Sequence, residues 1–378
     1  MKLKLLLGIL MSLVCAFGQA ENAFKFRGVV YDVGLRFTPE SCSVDTFSVG
    51  LVKYDMSVIS NILRANTVRI EGEEISRLVA AARVAHAAGL EIYFNPWKMN
   101  VGEQEVVAYM TEAAKAAEEL RQEGIKLVFV AGCEYTAFNN GVLPGSSINE
   151  RLASLMPPSD AKELPAFYQM LQERSKTLNR ILSRVCQAVR SQFHGPVTYA
   201  SGTWEMVDWS LFDIIGVDYY RDVQTDEEYI NGIRRYSCGD KPVVVMEVGC
   251  CAYKGAAKRG GAGSSILQGT TPDGKSGIYE GGVTPVRSEK EQADYIQTQI
   301  ELLDKTDIKG VFVYVFSFPI MPYRSTGFDQ DMTAYSLVKT YPADNGRSRL
   351  MPPWEPKEAF YRLAEIYREL ELQELAGR

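Results

Sequence analysis

The sequence predicts a single (β/α)8 TIM barrel, an α/β fold of eight parallel strands and intervening helices, with long loops after strands seven and eight. Apolar runs without polar alternation, such as Val243–Val248 (VVVMEV), are typical of parallel strands covered on both faces. These runs alternate with helix-length segments, which favours a parallel sheet. Eight such units in 378 residues fit a closed barrel. The alternative, an open doubly wound sheet, lacks support because no GxGxxG or P-loop motif occurs.

Each predicted strand is a short run in which Val, Ile, Tyr and Phe are frequent. In chain order the strands are Arg27–Gly34, Asn66–Ile70, Glu91–Phe94, Lys126–Ala131, Val197–Ala200, Asp213–Asp218, Val243–Val248 and Gly310–Phe316. Segments with helical spacing lie between them, and two end at a glycine, Gly89 and Gly124. The predicted helices are Val44–Asn61, Glu73–Ala88, Glu103–Glu123, Leu164–Phe193, Glu227–Tyr236, Glu289–Lys305 and Pro356–Leu372.

Two connections lack periodicity and are predicted to be long loops. Lys254–Thr284 follows strand seven, and Met321–Trp354 follows strand eight. Long loops in compact domains are usually functional or mobile. The first loop is rich in glycine and is a candidate lid over the carboxyl ends of the strands.

The N-terminus has the pattern of a secretory signal peptide. Met1–Lys4 is positively charged, Leu5–Phe17 is apolar, and Gly18 and Ala20 place small residues where a signal peptidase cleaves. We therefore expect a signal peptide over residues 1–20, a barrel over residues 21–378, and a secreted or periplasmic protein. A retained N-terminal anchor is the alternative. No later segment is apolar for long enough to span a membrane, so we expect no stable membrane insertion after cleavage.

Composition excludes several classes of function. The net charge is -6 and no basic block occurs, so nucleic acid is not an expected partner. With only two histidines, His86 and His194, neither a zinc site nor a Ser-His-Asp triad is supported. Six cysteines follow the predicted signal peptide without any CxxC pair, too few and too scattered for a disulfide scaffold. We expect no metal and no cofactor; disulfide pairing and oligomeric state stay open.

Two glutamates stand at the ends of predicted strands four and seven. Glu134 follows Leu127–Val130, and Glu247 ends the apolar run of strand seven. Taken singly, each fits a salt bridge or a helix cap equally well. In a (β/α)8 barrel, however, the carboxyl ends of the strands form the active-site face. Retaining glycosidases need two carboxyl groups about 5 Å apart. Because Glu134 and Glu247 both lie at the active-site face of the predicted barrel, we predict that they are such a catalytic pair.

Polar residues at other strand ends fit the same chemistry. Arg69 ends strand two, where its guanidinium would keep Glu247 ionised. Tyr219 or Tyr220, after strand six, could donate a hydrogen bond to that carboxylate. The alternatives are a structural ion pair of Arg69 with Glu71 or Asp32 and simple packing of the tyrosines.

The remaining candidates would contact a carbohydrate. Aromatic side chains at strand ends suit the flat C–H faces of sugar rings, although barrel rims are often aromatic for packing alone. Acids at strand ends could bind sugar hydroxyls or, as an alternative, a cation. Besides Arg69, the predicted substrate-binding residues are Tyr31, Asp32, Trp97, Tyr135, Trp204, Asp218, Tyr219 and Tyr220.

This arrangement resembles the clan A glycoside hydrolases, which are retaining (β/α)8 enzymes. The resemblance implies that Glu134 is the acid/base, that Glu247 is the nucleophile, and that Arg69 lies beside it, with Tyr219 or Tyr220 as the strand-six tyrosine. The sequence departs from the clan pattern in three places. Cys133 stands where the clan has Asn, Phe316-Ser317-Phe318 replaces the strand-eight Trp, and Asn95 or Trp97 replaces the strand-three His.

A closer resemblance covers nearly the whole chain after the signal peptide. It rests on RGVVYDVG, VDWSLFDIIGVDYYRD, KPVVVMEVGCCAYKGAAKRGG and WEPKEAF. These strings resemble a family of uncharacterised bacterial and fungal proteins often labelled "abortive phage infection protein". That label implies little about chemistry, and a signal peptide fits poorly with an intracellular phage defence.

The sequence thus predicts an exported retaining glycosidase or transglycosidase that acts on an unidentified glycan. A catalytically silent carbohydrate-binding barrel is the first alternative. The second is a metal-assisted hydrolase with oxygen ligands from Asp32, Glu134, Asp218 and Glu247.

Overall fold

The computed structural model of the protein describes residues 24–237 and 239–376. The predicted signal peptide, residues 1–20, and Cys238 lie outside the described residues. Within the described part of the chain, no helix is both long and apolar enough to cross a membrane.

Eight parallel strands close into a barrel, which confirms the predicted fold. Each strand pairs with the next along the chain, and the eighth pairs with the first. In chain order they are β1 Phe26–Asp32, β2 Thr67–Gly72, β3 Glu91–Pro96, β4 Leu127–Cys133, β5 Val197–Gly202, β6 Ile215–Asp218, β7 Val243–Val248 and β8 Gly310–Val313. Because all eight run in the same direction, their carboxyl ends meet at one face of the barrel.

Side-chain alternation along the strands builds two cores. In β1, Val30 points into the barrel interior while Val29 packs outward against the helices. In β3, Tyr93 lies inside, where its ring is 4.8 Å from that of Phe312. This two-residue period decides which strand-end side chains can reach the barrel mouth.

The helices of nine or more residues form the outer layer. They are α1 Val49–Asn61, α2 Ile75–Ala87, α3 Glu103–Gln122, α4 Leu164–Arg190, α5 Asp226–Arg234, α6 Glu289–Leu303 and α7 Glu358–Ala376. Side-chain caps define several of their starts: the Ser48 hydroxyl accepts from the Leu51 amide, and Thr225 with Glu228 forms a capping box on α5. The β5–β6 connection contains only a short 3-10 turn, Trp209–Leu211.

Two barrel strands carry a bulge at the mouth. In β7 the register with β8 shifts between Val245 and Val248, so Met246 and Glu247 together oppose one residue of β8. In β4 a similar shift precedes Cys133, and Gly132 has φ +117°, a conformation that favours glycine. The bulges break strict alternation where β4 and β7 end, which re-aims the side chains that follow.

The two long loops contain short elements of their own. After β7 come the 3-10 turns Ala256–Lys258 and Gly260–Ile266 and a hairpin of Leu267–Thr270 with Gly277–Tyr279. After β8, Val338–Thr340 pairs with Trp354–Pro356.

Candidate active site

Arg69 and Glu247 meet in the barrel mouth. Arg69, from β2, is completely buried. Its Nη1 donates to Glu247 Oε1 at 2.9 Å and to the Met246 carbonyl at 3.0 Å, while its Nε donates to Asn95 Oδ1 at 2.7 Å. A guanidinium held at three points fixes the position of the Glu247 carboxyl group.

Tyr220 holds the other oxygen of Glu247. It follows β6 directly, and its hydroxyl donates to Glu247 Oε2 at 2.8 Å. Burial, together with the charge of Glu247, raises the pKa of Tyr220 well above its usual value, so the phenol remains a donor. Both Glu247 oxygens therefore accept a hydrogen bond, an arrangement suited to an ionised carboxylate.

Glu134 lies on the same face, at the end of β4. Its backbone is left-handed (φ +41°, ψ +48°), a conformation uncommon for a residue with a side chain and often found at functional sites. The backbone amide is fixed by a 2.8 Å hydrogen bond to the Ala200 carbonyl. No described residue donates a hydrogen bond to its carboxyl oxygens, and the side chain is partly exposed.

Protein atoms surround the Glu134 carboxyl closely, and this desolvation raises its pKa well above the usual range. The negative charges of Asp218 and Glu247 raise it further. Glu134 and Glu247 therefore lie in different environments: hydrogen-bond donors hold Glu247, whereas burial and neighbouring negative charges raise the pKa of Glu134.

Cys133 and Asp218 complete the wall beside Glu247. The Cys133 thiol lies 3.6 Å from Asp218 Oδ2 and 3.7 Å from Glu247 Oε1. Burial and the Asp218 charge raise the pKa of Cys133 well above its usual value, so it is a neutral thiol. Asp218 is almost completely buried, its Oδ1 accepts no hydrogen bond, and its nearest cationic atom is Arg69 Nη1 at 3.8 Å.

Two further acids lie at the ends of β1 and β2, where Asp32 and Glu71 are register partners. Burial raises the pKa of Glu71 well above its usual range; neither of its oxygens accepts a hydrogen bond, although Oε2 lies 3.4 Å from Arg69 Nη2. Burial raises the pKa of Asp32 to about 6, despite a 2.7 Å hydrogen bond from the Gly34 amide. We call the following residues the mouth cluster: Asp32, Glu71, Glu134, Asp218, Glu247 and Arg69.

Aromatic rings border the mouth cluster. Tyr220 and Tyr314 lie 5.9 and 6.0 Å from the ring of Tyr335, which links them. The Tyr335 hydroxyl also donates to the Gly261 carbonyl at 2.8 Å, which ties the loop after β8 to the loop after β7. Trp97 packs against Phe138 with ring centroids 4.8 Å apart, and no described residue accepts a hydrogen bond from its buried indole N–H.

Trp204 stands at the end of β5, beside the turn that carries Glu134. Its indole N–H donates to the Thr136 hydroxyl at 3.0 Å, and its ring covers Gly202. The ring is partly exposed, so one face remains available to a ligand.

Three tyrosines expected at the mouth lie elsewhere, and their predicted substrate contacts are corrected. Tyr31 points out of the barrel and donates to Asp55 Oδ2 at 2.8 Å. Tyr219 also points outward, where its hydroxyl donates to the Tyr229 carbonyl at 2.7 Å. Tyr135 is buried in the outer core. Side chains alternate along a strand, so the neighbours of Tyr31 and Tyr219, Asp32 and Asp218, point into the barrel instead.

The structure adds residues that sequence reasoning did not select. Glu71 follows Arg69 by two positions, so its side chain shares the inward face of β2, a signal that alternation alone could have provided. Tyr314 follows Phe312 by two positions and lies close enough to Glu71 and Glu247 for their charges to raise its pKa, after the larger effect of burial. Tyr335 lies in an irregular loop, where no periodicity marks it.

The residues present do not favour a divalent metal ion. Of the oxygen ligands considered from sequence, Asp218 and Glu247 come together, and with Cys133 their ligand atoms lie within 4.8 Å of one another. Arg69 Nη1, 2.9 Å from Glu247 Oε1, already places a positive charge beside them. A divalent ion there would face electrostatic repulsion from the guanidinium.

No protein-family model and no curated protein matches the chain. Solved structures do match over most of its length. A β-1,4-mannanase of glycoside hydrolase family 113 superposes with a TM-score of 0.53 and 13% identity, covering 91% of this chain and 98% of the mannanase.

Two further solved structures give similar values. The family 113 β-mannanase of Alicyclobacillus acidocaldarius has a TM-score of 0.52 and 15% identity, covering 91% of this chain and 97% of its own. A family 5 glycoside hydrolase of Prevotella bryantii B14 has a TM-score of 0.51 and 13% identity, covering 92% of this chain and 98% of its own. At such low identity these likenesses establish what the geometry already indicated, namely that the chain folds as a (β/α)8 barrel.

Proposed function

We propose that this protein is a retaining glycoside hydrolase in which Glu247 attacks the anomeric carbon and Glu134 is the acid/base. One observation carries the proposal. Each oxygen of Glu247 accepts a hydrogen bond, from Arg69 and from Tyr220, while Glu134 on the same face has a raised pKa and no donor to its carboxyl group among the described residues. The two carboxyl groups thus have the opposite environments that a nucleophile and an acid require.

The reaction would proceed in two displacements. In the first, a Glu247 oxygen forms a bond to the anomeric carbon as the glycosidic C–O bond breaks, and the Glu134 proton passes to the leaving oxygen. In the second, the Glu134 carboxylate takes a proton from water, and the water oxygen displaces Glu247 from the anomeric carbon. Both carboxyl groups return to their starting states, and no cofactor is consumed.

The electrostatics of the site support the change in the role of Glu134. The charge on Glu247 is one cause of the raised pKa of Glu134. That charge disappears when Glu247 becomes a glycosyl ester, so the pKa of Glu134 falls after the first displacement. The same residue is then an acid in the first step and a base in the second.

The borders of the site suit a carbohydrate. Trp204, Tyr314 and Tyr335 are partly exposed and supply aromatic surfaces beside an acidic floor, and sugar rings stack on such surfaces through their C–H faces. The fold neighbours described above include β-mannanases. Secretion or periplasmic export of the protein, based on residues 1–20, is part of this proposal.

One observation favours a second function, a barrel that binds carbohydrate without turnover. Cys133 places a neutral thiol 3.7 Å from Glu247 Oε1, where a weak donor contributes little to transition-state stabilisation. In that case the cleft would bind glycans and leave them intact.

The two functions are separated by assaying the protein with a panel of 4-nitrophenyl glycosides and β-linked oligosaccharides. The enzyme proposal predicts turnover of at least one compound and a loss of about 1,000-fold or more in Glu247→Gln, on the scale seen when a nucleophile is removed. Glu91→Gln, an exposed glutamate at the opposite end of β3, is the matched control and should retain full activity. Glycan binding by calorimetry without turnover would favour the binding barrel.

A further inference from the structure

We propose that Glu205 is a positioning residue for Glu134: it binds the backbone just after Glu134, so that the Glu134 side chain stays free to reach a ligand. The inference rests on the proposed function, because it gives Glu205 a part in placing the acid/base of that reaction. Glu205 lies in the connection between β5 and β6, where its backbone amide donates to the Gly202 carbonyl at 3.0 Å. It is buried, and its carboxyl group contacts the turn that follows β4.

The turn after Glu134 needs an acceptor for its first amides. It is a single helical turn, Tyr135–Phe138, and Glu134 is the residue that precedes it. The first amides of a helix have no carbonyl partner within the helix, and the side chain of the preceding residue commonly accepts a hydrogen bond from one of them. The Glu134 side chain makes no such hydrogen bond. Another group has to accept from these amides if the Glu134 carboxyl is to remain available.

Glu205 is that acceptor. Its Oε1 accepts from the Thr136 amide at 3.0 Å and from the Thr136 hydroxyl at 2.8 Å. Its Oε2 accepts from the Tyr199 hydroxyl at 2.9 Å, and the Tyr199 oxygen in turn accepts from the Tyr135 amide at 2.6 Å. The two amides that follow Glu134 are therefore bound, one directly and the other through Tyr199. Glu205 thus caps this turn from a different loop.

These contacts hold the backbone on both sides of Glu134. The Glu134 amide donates to the Ala200 carbonyl, and the next two amides are held by Glu205 and Tyr199. The left-handed conformation of Glu134 is sparsely populated, and such a conformation persists only where the surrounding structure maintains it. A displacement of about 1 Å in a reacting group can lower a rate by about 100-fold. Loss of Glu205 should therefore be felt at Glu134.

The charge of Glu205 acts on Glu134 in the same sense. Burial raises the pKa of Glu134, the negative charges of Asp218, Glu247 and Glu205 raise it further, and the charge of Arg69 opposes them. Burial also raises the pKa of Glu205, while the hydrogen bonds that it accepts oppose that effect. When Glu205 is ionised, its charge favours the protonated form of Glu134, which is the form that a general acid requires.

The test compares two leaving groups. Glu205→Ala removes both acceptor oxygens, whereas Glu205→Gln keeps one oxygen for Thr136 and removes the charge. The value of kcat/KM is measured on the phenyl and 2,4-dinitrophenyl glycosides of a sugar that the wild type hydrolyses. Phenolate needs the Glu134 proton to depart, whereas 2,4-dinitrophenolate departs without it. We expect Glu205→Ala to lower kcat/KM by about 100-fold on the phenyl glycoside and by about threefold or less on the dinitrophenyl glycoside.

Two controls separate positioning from stability. Glu118 is a matched residue at the opposite end of the barrel: it is 8% exposed, and its Oε2 accepts from the His194 amide at 3.1 Å. Glu118→Ala should lower the melting temperature and leave the ratio between the two glycosides unchanged. In the second control, Glu205→Ala is combined with Glu134→Gln. We expect no loss beyond that of Glu134→Gln alone, because both changes act through the same carboxyl group.

A smaller change keeps the test decisive if Glu205→Ala does not fold. Glu205→Gln retains the size of the side chain and one acceptor, so it should lower kcat/KM on the phenyl glycoside by about tenfold, again with little change on the dinitrophenyl glycoside. Equal losses on both glycosides, or a loss that adds in full to that of Glu134→Gln, would overturn the inference and leave the glycosidase proposal standing.

Crystal structures distinguish failure of this inference from failure of the proposed function. If the wild type hydrolyses no glycoside, the glycosidase proposal is contradicted, and the position of the Glu134 carboxyl in crystals of the wild type and the Glu205 variant decides the inference. A displacement of about 1 Å or more in the variant would support Glu205 as the positioning residue. A Glu134 carboxyl that keeps its place would overturn it.

Discussion

Among the residues that the structure describes, two clusters of charged side chains have buried members, and the clusters differ in their balance of charge. In the mouth cluster, five carboxyl groups face one guanidinium, and no described residue donates a hydrogen bond to Asp32 Oδ2, to either oxygen of Glu71 or to Asp218 Oδ1. The second cluster anchors the loop after β8 and has equal numbers of acids and bases. We call it the anchor network; its members are Arg287, Glu289, Asp329, Asp331, Lys339 and Lys357.

The most buried ion pairs of the anchor network are short. Asp331 and Lys357 are both fully buried, 2.9 Å apart, and the Arg287 guanidinium lies 2.8 Å from both Asp329 and Asp331. A buried charge with such partners holds segments together, whereas a buried acid without them costs stability and raises a pKa. The difference indicates that the anchor network stabilises the fold, while the mouth cluster is arranged for chemistry.

The largest expected effect is the loss of the acid/base in the mouth cluster. Glu134→Gln should lower the rate on substrates with poor leaving groups by about 100- to 10,000-fold, the usual contribution of general acid–base catalysis. Because the pKa of Glu134 is raised and its protonated form is needed, wild-type activity should fall as pH rises through that pKa. In the variant, this alkaline decrease should be absent, as measured by initial rates across pH.

Exogenous azide provides the control for that prediction. With activated aryl glycosides, azide can attack the glycosyl-enzyme without a general base, so it should restore turnover in Glu134→Gln. The melting temperature of Glu134→Gln should equal that of the wild type despite the lower rate, because no described group donates a hydrogen bond to this carboxyl. A variant that simply unfolds would assign Glu134 a structural role.

The next largest effect should come from the anchor network and should appear in stability. Lys357→Met leaves Asp331 buried with one fewer cation, and breaking a buried pair costs about 3–5 kcal/mol. Lys339→Met, which removes a looser contact of 3.5 Å to Glu289, is the matched control and should cost about 1 kcal/mol or less. Urea unfolding measures both changes. Equal losses in the free energy of unfolding would mean that the buried Asp331–Lys357 pair stabilises the protein no more than the Lys339–Glu289 contact does.

A smaller effect should separate two adjacent tyrosines. Tyr220→Phe removes the donor to Glu247 Oε2 and should lower kcat/KM by about tenfold or more, since hydrogen bonds to charged groups contribute about 1.5–3 kcal/mol. Tyr219→Phe removes an outward hydrogen bond to the Tyr229 carbonyl and should cost about 1 kcal/mol of stability with activity unchanged. If Tyr219→Phe lowered activity and Tyr220→Phe did not, Tyr219 rather than Tyr220 would be the residue that contacts Glu247.

The smallest effect is a gain in stability from Glu71→Gln that depends on pH. The pKa of Glu71 is raised in the folded protein, mainly by burial, relative to an unfolded value near 4.3. The wild type therefore loses stability as pH rises from about 4 through the raised pKa, and the glutamine variant avoids that loss. Melting temperatures should coincide near pH 4 and diverge in favour of the variant at neutral pH. If the variant were less stable at every pH, the contact between Arg69 and Glu71 would instead be a stabilising ion pair.

Much of the fold could be predicted from sequence because the barrel strands are buried on both sides. Val243–Val248 was predicted with its observed bounds, and the other strands differ by a few residues at their ends. The meeting of Arg69 with Glu247 also follows from topology, since residues at the carboxyl ends of parallel strands share one face. Counting the predicted strands was enough to place Glu134 and Glu247 at that face, because they end strands four and seven.

The choice between inward and outward tyrosines could not be predicted with the same certainty. Tyr219 and Tyr220 are adjacent, and only the observed end of β6 at Asp218 decides which one turns toward Glu247. The bulges in β4 and β7 arise from local pairing registers, which a single sequence does not reveal. Tyr335 reaches the site through the fold of a long loop, for which no periodic pattern exists.

The role of Glu247 as nucleophile is tested most directly by the mass of a trapped intermediate. Glu134→Gln is mixed with an activated aryl glycoside from the panel, quenched in acid and analysed by intact-mass and peptide mass spectrometry. The second displacement lacks its base, so a glycosyl ester should accumulate, with one added sugar on the peptide that contains Glu247. Turnover without an adduct at Glu247, and with product of inverted anomeric configuration, would contradict the proposed mechanism.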